Sequence, residues 1–90
     1  MRIARRYLIT GRVQGVGFRY FTQRVAVQHG ISGWVRNTPD GRVEVEAEGD
    51  ADAMHQFERQ ISTGPAGANV DHVGTTEVAV GPVHSGFSIR

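Results

Sequence analysis

A glycine-containing segment, residues 11–19, carries residue types that can bind a phosphate group. It reads Gly-Arg-Val-Gln-Gly-Val-Gly-Phe-Arg and lies between a strand-like run and a helix-like run. Glycines admit positive φ, so successive backbone N–H groups can point into one concavity and bind an anion. The start of a helix adds unpaired N–H groups and the positive end of the helix dipole. Arg19, in the first helical turn, can fold its guanidinium over the same concavity.

The same segment admits a second interpretation, which is a plain strand-to-helix turn followed by a surface arginine. The spacing of its glycines matches neither the Walker A loop nor the GxGxxG dinucleotide fingerprint. Taken by itself, the segment therefore leaves open whether it binds an anion or only connects two elements.

The pattern of apolar residues predicts the elements that must hold this segment in place. Alternation of apolar and polar residues predicts strands over residues 5–13, 31–36, 43–48, 70–80 and 87–89. Helical spacing predicts one helix from Phe18 to a stop at Gly30. A second helix is predicted with Asp50 as its N-cap and an end at Gly64-Pro65.

This order of elements predicts an α+β, ferredoxin-like fold, βαββαβ plus a short terminal strand, in which both helices pack on one face of an antiparallel sheet. The first two strands are joined by a helix and run parallel, with the third strand between them. Their C-terminal ends then meet at one edge of the sheet. Residues 11–19 should therefore lie beside the segment that follows the second strand. Ninety residues are expected to form one domain, residues 1–90.

Two separated blocks of the chain resemble the signatures of the acylphosphatase family. Residues 11–19 resemble its phosphate-loop signature. Residues 33–44, which begin Gly-Trp-Val-Arg-Asn and continue with Asp-Gly-x-Val-Glu, resemble its second signature at the expected separation. Three further features also lie where the family carries them: Gly64-Pro65, Val70 and Phe87-x-Ile89. The resemblance extends over essentially the whole chain and departs from the family pattern at no motif position.

The resemblance implies an enzyme that hydrolyses the carboxyl–phosphate bond of a small acyl phosphate without a metal or cofactor. It implies that Arg19 binds the phosphoryl oxygens and that Asn37 holds the water that attacks phosphorus in line. The backbone of the loop would complete the phosphate site through Gln14, Gly15, Val16, Gly17 and Phe18. The side chain of Gln14 is expected to brace the loop rather than to touch substrate.

Composition narrows the class of protein. The formal net charge is +1, which argues against a general polyanion binder. There is no cysteine, so neither a disulfide nor a thiol nucleophile is available. No apolar run approaches the roughly 18 residues of a membrane span, and no signal-peptide layout is present. These observations predict a cytoplasmic protein that binds neither membrane nor nucleic acid, with a monomer as the default.

The spacing of the remaining polar residues does not indicate a second active site. The four histidines lack metal-ligand spacing and are expected at the surface: His29, His55, His72 and His84. Period-two spacing predicts that Glu44, Glu46 and Glu48 share one solvated strand face. Trp34 is expected to be partly buried, while Arg36 and Arg42 are expected to be surface charges.

Two alternatives to an enzyme stay open. RNA binding is disfavoured because the third strand exposes glutamates and no RNP1-like run is present. A non-catalytic module of the same fold that binds phosphate or carbamoyl phosphate is the closer rival. The presence of both Arg19 and Asn37 in a chain of this length favours the enzyme.

Overall fold

The computed structural model describes residues 1–81 and 86–90, over which the chain forms five strands and two helices. In chain order these are β1 Arg2–Arg12, α1 Phe18–Gln28, β2 Ser32–Asn37, β3 Val43–Asp50, α2 Ala51–Thr63, β4 Asn69–Val78 and β5 Phe87–Ile89. The prediction for His84 lies outside the described residues. Neither helix in this part of the chain has the length and apolar character that crossing a membrane requires.

The strands form one sheet in the order β4-β1-β3-β2-β5, which confirms the predicted ferredoxin-like fold. β3 is antiparallel to both β1 and β2, so that Val45 lies opposite Tyr7 on one side and Val35 on the other. Neighbouring strands among the four longer ones pair antiparallel, as predicted, whereas β5 pairs parallel with β2. The reason is that β4 runs antiparallel to β1 and hence to β2. A strand that reverses direction after β4 must therefore run parallel to β2.

Both helices bury an apolar stripe against one face of the sheet. In α1 the buried residues recur at helical spacing: Phe18, Thr22, Val25 and Ala26. In α2 they are Met54, Phe57 and Ile61. The Phe57 ring lies between the rings of Tyr7 and Phe87, with centroids 6.1 and 6.2 Å apart, respectively. This layer between sheet and helices is the core, and it fixes α1 relative to the ends of β1 and β2.

The helix ends follow the predicted signals with small differences. α1 ends at Gln28, two residues before Gly30, whose φ of 66° lets the chain turn back so that the Ile31 amide donates to the Ala26 carbonyl at 2.9 Å. Asp50 occupies the N-cap position of α2 as predicted, but its side chain makes no capping hydrogen bond. Its carboxylate instead accepts from the amino group of Met1 at 3.4 Å.

The sheet face without helices carries three arginine–glutamate pairs. Arg36 Nε donates to Glu44 at 2.6 Å, Arg6 Nη2 to Glu46 at 2.6 Å and Arg2 Nε to Glu48 at 2.9 Å. The three glutamates share one strand face, as predicted. The expectation that this face is solvated is wrong for Glu48, whose side chain is only 5% exposed. Neighbouring strands place an arginine beside each glutamate, and these long side chains cover it.

Candidate active site

The loop between β1 and α1 forms a turn that depends on two glycines. Gly15 and Gly17 have φ values of 76° and 77°, in the left-handed region that other residues enter at a cost of about 1–2 kcal/mol. No heavy atom lies within 4 Å of the position a Cβ would take at either residue. Backbone conformation rather than crowding therefore requires glycine here. Two left-handed residues so close together turn the loop backbone around a concavity.

The first turn of α1 supplies further donors at the same place. Gly17 is the N-cap, and the first intrahelical bond runs from the Phe21 amide to the Gly17 carbonyl at 3.0 Å. The amides of Phe18, Arg19 and Tyr20 precede this first intrahelical donor, so they have no acceptor within the helix and point out of its end. Such a helix N-terminus is a favourable environment for an anion.

A small cavity of about 120 Å³ lies where these elements meet the end of β2. Its lining is Val13, Gly15, Gly17, Phe18, Arg19, Tyr20 and Asn37. The prediction that the segments after β1 and β2 are neighbours is thus confirmed. Arg19 and Asn37 come together with three of the loop residues, whereas Gln14 and Val16 lie outside this lining.

Arg19 is held at the mouth of the cavity by a bond to the end of the sheet. Its Nη1 donates to the main-chain oxygen of Arg90 at 3.3 Å. Arg90 is itself fixed, because its amide donates to the Val35 carbonyl at 2.8 Å and its guanidinium lies 4.6 Å from the centre of the Trp34 ring. A guanidinium has five N–H donors, so this tether orients Arg19 while leaving donors for an anion. Sequence reasoning did not anticipate the tether.

Asn37 reaches the cavity because of its position on β2. It pairs with Val43 of β3 and follows the buried Val35 by two residues, so both side chains lie on the face of the sheet that packs against the helices. The side chain is partly buried. An amide offers a donor and an acceptor at once, which suits it to hold a water molecule in a fixed orientation.

Gln14 does brace the loop, through the turn between β2 and β3. Its Nε2 donates to the carbonyl of Thr38 at 2.8 Å and to that of Arg42 at 2.9 Å. Within this turn Arg42 also donates to the Asp40 carboxylate. Hydrogen bonds from Arg42 and Thr38 hold the pKa of Asp40 well below its usual range. Arg36 and Arg42 are surface charges as expected, each paired with a carboxylate.

Within the part of the chain that the structure describes, no histidine, aspartate or glutamate lines this cavity. In the described ranges, 1–81 and 86–90, no three His, Asp or Glu side chains form a group that could hold a metal ion. Trp34 is buried beneath Arg90 on the opposite face of the sheet and is not among the lining residues. A larger, open groove of about 610 Å³ lies between the helices, lined by Phe21, Gln56, Arg59, Gln60, Thr63 and Gly64. It contains none of the loop residues.

The chain is similar to known proteins over nearly its whole length. The family model Acylphosphatase matches residues 5–89. An acylphosphatase of Koribacter versatilis is 52% identical over 75 residues, which cover 83% of this chain and 68% of the relative. The crystal structure of acylphosphatase from Bacillus subtilis superposes with a TM-score of 0.94 at 41% identity, over 100% of this chain and 99% of that one. A crystal structure of full-length HypF, in a phosphate- and nucleotide-bound form, gives 0.88 at 30% identity over 100% of this chain and 12% of its own.

Proposed function

Since the chain belongs to the acylphosphatase family and is an enzyme of that kind, we propose that Arg19 and Asn37 carry its reaction. The reaction is hydrolysis of the carboxyl–phosphate bond of a small acyl phosphate to a carboxylate and inorganic phosphate. The observation that supports these roles is the shared cavity, in which Arg19, Asn37 and the helix N-terminus line one space. Many curated relatives that are acylphosphatases favour the enzyme over a non-catalytic module.

The phosphoryl group binds to the loop side of the cavity. The amides at Gly15–Phe18 and the first turn of α1 donate to its oxygens from below, and the Arg19 guanidinium donates from above. The backbone fixes the amides and the bond to Arg90 orients the guanidinium before substrate arrives, so these donors require little reorganisation when charge develops in the transition state. Binding and stabilisation of the phosphoryl group supply most of the catalysis that phosphoryl transfer needs.

Water attacks phosphorus from the side on which Asn37 lies. The Asn37 amide holds the water, whose oxygen forms a bond to phosphorus as the bond to the acyl oxygen breaks. The carboxylate leaves with that electron pair. Because the pKa of its conjugate acid is low, it needs no proton from a general acid. One proton of the water passes to a phosphoryl oxygen, and the other stays on the oxygen that has attacked. In the described part of the chain the cavity is lined by neither carboxylate nor imidazole, which fits a reaction without a protein base.

A steady-state assay with acetyl phosphate tests this function. We expect hydrolysis that survives excess EDTA and competitive inhibition by inorganic phosphate, because the donors proposed for substrate also fit the product. In ¹⁸O-labelled water the label should enter phosphate. Loss of activity on chelation that a divalent ion restores would contradict the metal-independent mechanism. Label in the carboxylate would show attack at the carbonyl carbon and leave Asn37 without its proposed role.

The domain organisation, the oligomeric state and the location of the protein are inferred from the sequence alone. We propose that residues 1–90 form a single domain, that the protein is a monomer, and that it works in the cytoplasm. The absence of cysteine is compatible with a reducing compartment. Limited proteolysis, gel filtration and cell fractionation test the three statements in turn.

A further inference from the structure

Gln14 joins two parts of the site that are far apart in sequence. Its backbone belongs to the loop between β1 and α1, yet its side chain ends in the turn between β2 and β3. The two bonds from Nε2, at 2.8 Å to the Thr38 carbonyl and 2.9 Å to the Arg42 carbonyl, use both N–H groups of the amide. The side chain therefore contacts the turn at two points, and it is partly buried there.

The turn that receives these bonds is closed by its own hydrogen bonds. The Thr38 amide donates to the Arg42 carbonyl at 2.8 Å, and the Arg42 amide donates to the Thr38 hydroxyl at 2.9 Å. Asn37 immediately precedes Thr38 in the chain. Any shift of this turn relative to the phosphate loop therefore shifts Asn37 relative to the phosphorus atom.

We propose that Gln14 is a positioning residue that fixes Asn37 at its working distance from the bound phosphoryl group. This inference rests on the function proposed for Asn37. The loop amides hold the phosphate, Gln14 ties the loop to the turn, and the turn carries the residue that holds the water. In-line attack requires this alignment, and a misplacement of about 1 Å can reduce a rate by roughly 10²-fold.

The experiment compares Gln14→Leu and Gln14→Asn with Asn37→Ala and with the double variants. Gln14→Leu removes both donors, while Gln14→Asn keeps the amide but shortens the side chain by one methylene. Each should lower kcat for acetyl phosphate by about 10-fold to 10²-fold. The inhibition constant of inorganic phosphate should stay within a few-fold, since the loop amides and Arg19 still hold the anion. The Gln14→Asn variant keeps the test decisive if the Leu variant folds poorly.

The double variants separate positioning from general stabilisation. If Gln14 acts through Asn37, either change at Gln14 should alter kcat by less than about twofold once Asn37 is alanine. A matched control is Gln23→Leu, which also removes an amide-to-carbonyl bond, from Gln23 Nε2 to Phe87 at 3.0 Å. It should change thermal stability but leave kcat within about twofold.

Two results would overturn the inference while leaving the proposed function intact. One is that the effects of Gln14 and Asn37 on kcat multiply independently. The other is that phosphate affinity falls as much as kcat, which would make Gln14 part of the anion site. Failure of the wild-type protein to hydrolyse acetyl phosphate would overturn the proposed function itself, and the same assay measures it.

Discussion

Arg19 combines a tethered guanidinium with a position over a helix N-terminus. Its bond to the Arg90 main-chain oxygen at 3.3 Å orients the planar fork toward the cavity that Asn37 also lines. A fork can donate to two phosphoryl oxygens at once, whereas the ammonium of lysine is a compact point charge. The geometry of the donor, and not its charge alone, should therefore matter at this position.

Arg19→Lys should keep the charge and lose most of the activity. Loss of a desolvated, charge-assisted contact typically costs about 2–5 kcal/mol, so kcat/KM for acetyl phosphate should fall by at least about 30-fold. Phosphate inhibition should weaken in parallel, because the same donors bind product. Thermal unfolding should change little, since the side chain is partly exposed. Near-normal kinetics in the Lys variant would contradict the role of the fork.

Asn37 should affect the chemical step more than binding. Asn37→Ala removes the group that we propose holds the water, so kcat should fall by about 10²–10³, as for other transition-state hydrogen-bonding groups. The inhibition constant of inorganic phosphate should remain within a few-fold of wild type. Asn37→Asp serves as the contrasting variant, because a negative charge beside the phosphate should lower both kcat and phosphate affinity. Equal losses of rate and affinity in the Ala variant would instead make Asn37 a binding residue.

At the residue scale, the sequence motifs predicted two of the side chains that line the cavity but not what holds them. Arg19 and Asn37 were predicted from their places in two signatures. The acceptors of Gln14 lie 24 and 28 residues away in the chain, and that of Arg19 lies 71 residues away. Such contacts depend on packing distances across the sheet edge, which the order of residues does not specify.

The loop and helix start act as one element, and glycine conformation sets its shape. Gly15 has a left-handed φ with open space around the position of a Cβ, so Gly15→Ala should cost only backbone strain. Relief of that strain would rotate the loop amides away from the cavity. We expect a loss of about 1–2 kcal/mol in the free energy of unfolding together with weaker phosphate inhibition.

Gly30→Ala is the matched control for this element. Gly30 has a similar φ of 66° and equally open surroundings, but it lies at the other end of α1. It should show the same loss of stability with unchanged phosphate inhibition, measured by urea unfolding and steady-state kinetics. If both variants weakened phosphate binding equally, loop geometry would not explain the effect.

The types of the elements were predictable from sequence because each strand or helix has a strong local pattern. The partners of their side chains were harder to predict. Alternation identified β3, and helical spacing identified both helices. The burial of Glu48 was missed because it depends on Arg2, a residue 46 positions away that reaches over from β1. The Asp50 side chain was expected to cap α2, but Met1 competes for its carboxylate. Local patterns therefore predict backbone conformation better than side-chain partners.

The whole molecule explains why the two signatures form one site. β1 and β2 run parallel on either side of β3. The two strands therefore end, at Arg12 and Asn37, at the same edge of the sheet, although α1 separates them in sequence. Topology alone predicted this meeting. The parallel pairing of β5 is a consequence of strand direction, and it brings Arg90 to Val35 and so to Arg19.

The hydroxyl of Tyr7 is a polar atom in the core of the molecule that the proposed function does not use. The side chain is fully buried, and within residues 1–81 and 86–90 the hydroxyl makes no hydrogen bond of acceptable geometry. Burial, with a contribution from the nearby Glu58 carboxylate, raises the pKa of Tyr7 well above its usual range. The folded chain therefore keeps this proton at pH values where the unfolded chain releases it.

Tyr7→Phe should stabilise the fold without changing activity, and the gain should grow at high pH. At pH 8 the variant no longer buries an unpaired hydroxyl, a penalty of about 1–3 kcal/mol in proteins. Above pH 10 unfolding of the wild type also releases the Tyr7 proton, so its stability falls as pH rises, by about 1.4 kcal/mol per pH unit. Urea unfolding of both proteins at pH 8 and pH 11 measures the difference in the free energy of unfolding.

Tyr20→Phe is the control, since the exposed hydroxyl of Tyr20 meets water in the folded and unfolded chains alike. The difference in the free energy of unfolding between wild type and Tyr7→Phe should be larger at pH 11 than at pH 8. An equal difference at both pH values would show that the hydroxyl ionises as easily in the core as in water.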